Sequence, residues 1–259
     1  MNSTYTTYTT LTRNLDRTLQ LKAAESVNAR ETAYYQENIR KVETIDEFLG
    51  DYRLYTYAMK AFGLDDMIYA KAYMRKVLTE GVADKDSFAN KLLDERFKEF
   101  ATVFDFEAYG KVTTLRQEVT TGVVEKYNRA MLEADAGEEN EGVRLALYFQ
   151  RKAPEIDSYY DILADKALTK FFQVTFSLPE SMSSIDVDQQ VRLLEKVFDL
   201  SALKDPEELE HLTKRFTIMY DIEENPVSDP VLSLFGGSDT QATLDEGLIM
   251  TLKNLKLGG

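Results

Sequence analysis

The chain has 259 residues, with 44% apolar content, 14 Phe, 15 Tyr, 12 Gly and only 5 Pro, which is enough to fill a core and excludes disorder of the whole chain. A net charge of -14 repels phosphate backbones and anionic membranes, so no nucleic-acid partner is expected. Zero cysteine excludes disulfides, thiolate catalysis and cysteine-ligated zinc or iron–sulfur centres.

Residues 2–10, NSTYTTYTT, form a polar, β-branched tract expected to stay frayed, with the helical pattern beginning at Leu11, Leu15 and Leu19 and continuing through Ala23 and Val27. Thr44 with Glu47 makes a capping box, and the helix it starts carries Phe48, Leu49, Leu54, Ala58 and Phe62. Gly63 then serves as the left-handed residue that ends a helix, with Leu64 as its apolar contact. Asp65 is placed to cap a second helix bearing Met67, Ala70, Met74, Val77 and Leu78. This corner has the outline of a helix-turn-helix, with Lys71, Arg75 and Lys76 on its second helix, but the charge of the chain opposes DNA binding. A phosphate loop would need several glycines and a lysine at fixed spacing, and GLDD lacks them.

The corner recurs. Thr44, Glu47, Leu49, Asp51, Leu54, Phe62 and Leu64 match Ser158, Asp161, Leu163, Asp165, Leu168, Phe176 and Leu178 at a constant offset of 114. Downstream, Lys76-Val77 matches Lys196-Val197 at 120, and Asp86, Leu93, Arg96 and Phe97 match Asp205, Leu212, Arg215 and Phe216 at 119. The offset changes fall between helices, where insertions are tolerated, and imply a duplicated three-helix unit over 43–106 and 155–222. Its helices should start at Thr44, Asp65 and Asp86, and again at Ser158, near Asp186 and at Asp205.

Between the units, residues 107–154 read as a helical hairpin. Leu115, Val119, Val123, Tyr127 and Met131 share one face of its first helix, EADAGEENEG makes the turn, and VRLALYFQRKAP forms the second helix. Glu138, Glu139 and Glu141 fall at the start of that second helix, Arg151 and Lys152 at its end, and Pro154 stops it, as the helix dipole favours. Three short helices per unit leave an apolar face exposed, so the hairpin is expected to join both units into one core. After Ile222 the pattern lapses into a Pro/Gly-containing loop, and 223–259 ends in an amphipathic segment from Leu244 to Leu257. The fold class is therefore all-α, with residues 1–42 as an N-terminal extension and helix and one structural domain expected from 11 to 222.

Candidate chemistry is sparse. His211, the only histidine, has Glu207, Glu208 and Glu210 beside it but lies opposite the stripe Leu209, Leu212, Phe216 and Met219, so it reads as a solvated surface residue. DAGEENEG lacks the spacing of a calcium loop, which leaves Glu138 to Glu141, or Asp186 with Asp188, as the carboxylates of an alternative divalent-ion or small-ligand reading. Tyr34, Tyr35, Tyr159, Tyr160, Phe171 and Phe172 sit at helical spacing beside aliphatic residues and read as core and interface. No catalytic, cofactor-binding or metal residue is assigned, and the chain is expected not to be an enzyme.

No apolar run approaches the about 20 residues that cross a bilayer, and the start, MNSTYTTYTTLTRN, lacks the apolar core of a secretory signal. A cytoplasmic location is expected, with passage through a cell-envelope export channel as the alternative.

The stretches TIDEFLGDYRLYTYAMKAFGLDDMIYAKAYMRKVL, DSFANKLLDERFKEFATVFDF and EADAGEENEGVRLALYFQRKAP resemble an uncharacterised alphaproteobacterial family, domain of unknown function twelve-seventeen. The resemblance covers most of residues 1–222. It implies a multihelical fold and, because such proteins are often encoded beside flagellar genes, a protein partner in flagellar assembly or motility. It carries over no catalytic residue. The resulting expectation is a non-enzymatic interaction or structural protein, with an exported flagellar component as the alternative.

Overall fold

The computed structural model describes residues 3–224; the expected loop and amphipathic segment over 225–259 lie outside the described residues. Among the described residues every regular element is helical, so the fold is all-α, as the patterning predicts. In chain order the α-helices are α1 (Thr4–Thr12), α2 (Leu15–Ala24), α3 (Ser26–Asn38), α4 (Ile45–Gly50), α5 (Tyr52–Ala61), α6 (Lys71–Glu80), α7 (Glu95–Val103), α8 (Phe106–Tyr109), α9 (Val123–Glu139), α10 (Glu141–Lys152), α11 (Tyr159–Ala164), α12 (Lys166–Phe176), α13 (Val187–Val197) and α14 (Pro206–Glu224).

The capping box forms as expected: Glu47 N donates to Thr44 Oγ1 at 3.2 Å while Glu47 Oε2 accepts from Thr44 N at 3.3 Å. The helix it opens is shorter than the pattern predicts, because Asp51 adopts extended backbone and starts a new helix, its carboxylate accepting from the N–H groups of Arg53 and Leu54 at 3.0 Å. Gly63 lies at φ +66°. Leu64 N donates to Met59 O at 2.8 Å and Gly63 N to Lys60 O at 3.0 Å, the two crossed bonds of a Schellman ending. The same local chemistry recurs at Ser158 with Asp161, at Asp165, and at Ser177, which takes φ 51° while Leu178 N donates to Gln173 O at 2.8 Å.

The local caps repeat, but the packing does not. Leu212 is buried, whereas Leu93 is 86% exposed; Val77 is buried, whereas Val197 is exposed. Phe97 and Phe216 are both buried. The expected helix starts at Asp65 and Asp86 are also displaced. Asp65–Met67 is a single 3-10 turn, and α6 begins only at Lys71 without a side-chain cap. Asp86 instead donates its N–H to Asp84 Oδ1 at 2.8 Å within a loop, and Asp94 caps α7. A short polar side chain stabilises a turn as readily as a helix start, so neighbouring aspartates compete and packing selects between them.

The N-terminal tract is not frayed. Ser3 caps α1, and Thr9, Thr10 and Thr12 fold their hydroxyls onto the carbonyls of Tyr5, Thr6 and Tyr8 at 2.9, 2.8 and 2.9 Å. Thr4 donates its N–H and hydroxyl to the Asp221 carboxylate at 3.0 and 2.5 Å. Tyr8 is buried against the second apolar cluster, so tertiary burial stabilises a segment whose own propensity does not. The expected helix from Leu11 to Val27 is broken into α1, α2 and α3, with Asn14 Oδ1 accepting from Arg17 N at 3.1 Å.

The buried apolar residues fall into two clusters within one compact unit, and helices α9 and α10 of the hairpin pack against elements of both. The first contains Phe48, Tyr55, Phe62, Phe100 and Phe104; the second contains Phe149, Phe171, Phe172 and Phe216. Helix α9 spans both, with Tyr127 in the first and Leu132 in the second. Each buried aromatic contributes about 1.5–3 kcal/mol of transfer free energy. A layer of paired charged side chains joins α7, α9 and α10.

Candidate functional site

That charged layer consists of two cation–anion–cation bridges. Glu99 on α7 accepts from Lys126 on α9 and, at 3.0 Å, from Lys152 on α10. Glu133 on α9 accepts from Arg129 Nε at 3.0 Å and from both Nε and Nη2 of Arg151 on α10 at 2.9 Å. Positions 126, 129 and 133 lie three and four residues apart and so share one face of α9. Arg129 and Glu133 are only 8% and 6% exposed, and charges so buried are stabilising only when paired and hydrogen-bonded. Arg129 Nη2 meets that need with the Leu147 carbonyl at 2.8 Å and Gln150 Oε1 at 3.3 Å.

Burial alone would raise the Glu99 carboxyl, but attraction to Lys152 and the hydrogen bond from Lys126 outweigh it and hold the group below the usual glutamate range. For Lys152, burial pulls downward while Glu99 and Glu155 pull upward, and the carboxylates win. The network continues outward: the Arg151 guanidinium lies 4.9 Å from the Tyr148 ring centre, and Tyr148 donates to Asp165 Oδ2 at 2.5 Å. Burial and the Asp165 charge together raise the Tyr148 phenol. The Glu133 bridge thus extends from α9 and α10 to the start of α12, while the Glu99 bridge ties α7 to the same two helices.

Above the bridges lies an open groove. Leu15 and Leu19 of α2 make its apolar wall, and Glu125, Lys126, Arg129, Gln150 and Arg151 make the other. Chemically, this arrangement can hold an oxyanion by charged hydrogen bonds next to aliphatic surface.

The residues singled out from the sequence lie elsewhere. His211 is exposed on α14, with Leu212 and Phe216 turned inward. Glu138 and Glu139 end α9 rather than begin α10; only Glu141 falls in the first turn of α10, because the turn contracts to Asn140, which caps α10 by accepting from Val143 N at 3.2 Å. Asp186 caps α13, and Asp188 accepts from the Tyr160 hydroxyl at 2.9 Å. Among the described residues, no three histidine or carboxylate groups stand close enough to share a metal ion. Lys71, Arg75 and Lys76 are engaged within the chain, with the Leu49 carbonyl, Asp46 and Glu80 respectively. Tyr35, Phe171 and Phe172 are buried, Tyr34 and Tyr159 half-buried, and Tyr160 exposed.

Leu115 does not share the buried face of the hairpin. Residues Gly110–Leu115 wind as a 3-10 helix, and the register of α9 begins only after a π-turn over Glu118–Gly122. Three residues per turn align Val112 with Leu115, while Tyr109 ends α8 before Gly110 at φ 52° and lies outside that register; all three are exposed. Arg116 stacks at 3.9 Å on the Tyr109 ring.

A family model described as a protein of unknown function (DUF1217) matches residues 61–209. The chain belongs to this family. It is also similar to a protein from Agrobacterium tumefaciens whose crystal structure was solved by structural genomics, with 48% sequence identity, a TM-score of 0.80, and coverage of 85% of this chain and 94% of that one. No curated protein matches the chain. Among the described residues of this DUF1217 chain, no helix is long and apolar enough to cross a membrane.

Glu99, Lys126, Arg129 and Glu133 were not legible as a site in the sequence. The i,i+4 spacing of Arg129 and Glu133 is visible there, but it reads equally as a solvated surface pair. Arg151 and Lys152 read only as cations matched to a helix end.

Proposed function

We propose that this DUF1217 chain acts by binding another protein and not by catalysis. The observation that supports this reading is the exposed ridge around the α8 end, where Tyr109, Val112 and Leu115, three large apolar side chains close in sequence, are all open to solvent. Large apolar side chains exposed close together are costly to hydrate and are typical of binding surfaces. A role in flagellar assembly or motility is the finer form of this reading, and it rests on what the family resemblance alone implies. The partner would then be a flagellar protein met in the cytoplasm.

The test is co-purification of a tagged chain from its own cells, compared with a variant carrying Tyr109→Ser, Val112→Ser and Leu115→Ser. The expected result is a partner recovered by the native chain and lost by the variant; equal recovery by both removes the ridge from the reading. A clean deletion with normal flagella and normal swimming overturns the motility link. Recovery of the chain from sheared filaments would favour an exported component instead.

A further inference from the structure

The groove between α2 and the α9/α10 pair holds hydrogen-bonding capacity that the chain itself does not use. Arg129 is 8% exposed, and among the described residues its hydrogen bonds engage only Nε and Nη2, leaving Nη1 open toward the groove. Arg151 likewise uses Nε and Nη2 on Glu133, leaving Nη1 unengaged, with its side chain 30% exposed. Lys126 gives one of its three ammonium hydrogens to Glu99. All three cations line the same groove. A guanidinium N–H left free at the solvent edge of a largely buried side chain is available to a ligand, and its planar fork suits a carboxylate better than a point charge does.

The opposite wall decides what the carboxylate is attached to. Leu15 and Leu19 lie one helical turn apart, only partly buried, and face these cations across the groove. A ligand that satisfies both walls carries a carboxylate directly beside aliphatic side chains. Glu125 on the rim opposes a dense cluster of negative charge, so the fit is to a segment in which acids and leucine-class residues alternate by turns.

We propose that this groove binds an acidic, leucine-bearing segment of a partner protein, its carboxylate taken by Lys126, Arg129 and Arg151 and its aliphatic side chains by Leu15 and Leu19. The proposal rests on the protein-binding reading above, but it concerns a surface distinct from the Tyr109–Leu115 ridge.

The probe is a fluorescein-labelled helical peptide with alternating turns of Glu and Leu, titrated by anisotropy against the full chain beside copies with Gln for Glu and Ser for Leu. Saturable binding is expected, weakened about tenfold or more by either replacement and by added salt. Two variants localise it. Gln150→Glu places a repelling carboxylate in the groove while removing no ion pair, and Lys126→Gln leaves Glu99 with Lys152. Both should weaken the Glu/Leu peptide with unchanged circular dichroism, Lys126→Gln with a lower melting temperature because it removes one partner of Glu99, and amide shifts on binding should map to α2, α9 and α10. No binding, equal binding of the Glu and Gln peptides, or shifts confined to other helices overturns the groove. If the partner recovered by co-purification is retained by Gln150→Glu but lost by the ridge variant, the groove fails while the protein-binding reading stands.

Discussion

The Tyr35 hydroxyl donates to the Val119 carbonyl at 2.8 Å, joining α3 to the π-turn from which α9 starts. The ring is fully buried and stacks on Tyr57 with centroids 4.5 Å apart, and Tyr57 in turn stacks on Tyr127 at 3.8 Å. This stack and the Tyr35 hydrogen bond locate α9 relative to the first apolar cluster, while the Tyr57 hydroxyl hydrogen-bonds Thr32 on α3 at 2.8 Å.

Tyr35→Phe keeps the stack and deletes the Tyr35 hydroxyl, leaving a buried carbonyl with one donor fewer. A loss of about 1–2 kcal/mol is expected in urea unfolding, with an unchanged m-value. A loss below about 0.5 kcal/mol would mean that the π-turn carbonyl needs no help from α3.

Ser177 takes a left-handed conformation, φ 51°, at the helix ending where Gly63 takes φ +66° in the other half of the chain. A side chain there costs about 1–2 kcal/mol, partly offset by the lower entropy of the unfolded serine chain. Ser177→Gly should therefore raise stability by about 0.5–1 kcal/mol. Gly63→Val should do the reverse and by more: a Cβ has room, its nearest neighbour being Arg96 Nη1 at 3.8 Å, so the penalty is backbone strain alone. Thermal melts of the two variants moving in the same direction would overturn this assignment.

Gly142 opens α10 where the Tyr220 ring of α14 presses on its backbone; a Cβ there would lie 2.4 Å from the ring. Gly142→Ala gains about 1 kcal/mol of helix propensity but forces the ring aside, for a net loss of about 1–3 kcal/mol. Gly50→Ala is the control, since nothing lies within 4 Å of a Cβ there. The control should be neutral to slightly stabilising in the same assay.

Glu99 has a folded pKa below its ordinary value of 4.5. Its pairing with Lys126 and Lys152 therefore contributes stability that is fully present above that ordinary value and is lost as pH falls through the folded one. Glu99→Gln should flatten the acid limb of a stability–pH curve while also lowering stability near neutrality, where two half-buried cations lose their carboxylate. Lys152, raised from its ordinary 10.5, contributes in the opposite sense: its share is present below that value and is lost as pH climbs through the raised one. An acid limb as steep in Glu99→Gln as in the native chain would assign the acid sensitivity to other carboxylates.

The sites readable from residue order are those whose energetics close within one turn. Thr44 with Glu47, Ser158 with Asp161, and Gly63 with Leu64 each satisfy or reorient backbone groups three to five residues away, so spacing alone identifies them. The burial of Phe97 and Phe216 was legible for a related reason, because a helical stripe has few other places to go. The all-α class follows from the sum of such local signals.

Other features depended on what each face meets. Thr4 is buried because Asp221, far along the chain, supplies its acceptor. Leu93 and Leu115 are exposed because the chain around them winds as loop and 3-10 turn and, among the described residues, no helix covers them. Arg129 and Glu133 have the spacing of a surface pair, and only the approach of α10, bringing Arg151 and the Leu147 carbonyl, makes them a buried bridge beneath a groove. Charge and propensity are properties of a residue and its near neighbours; dielectric surroundings are set by helices distant in the chain, and the cost and use of a charge depend on those surroundings.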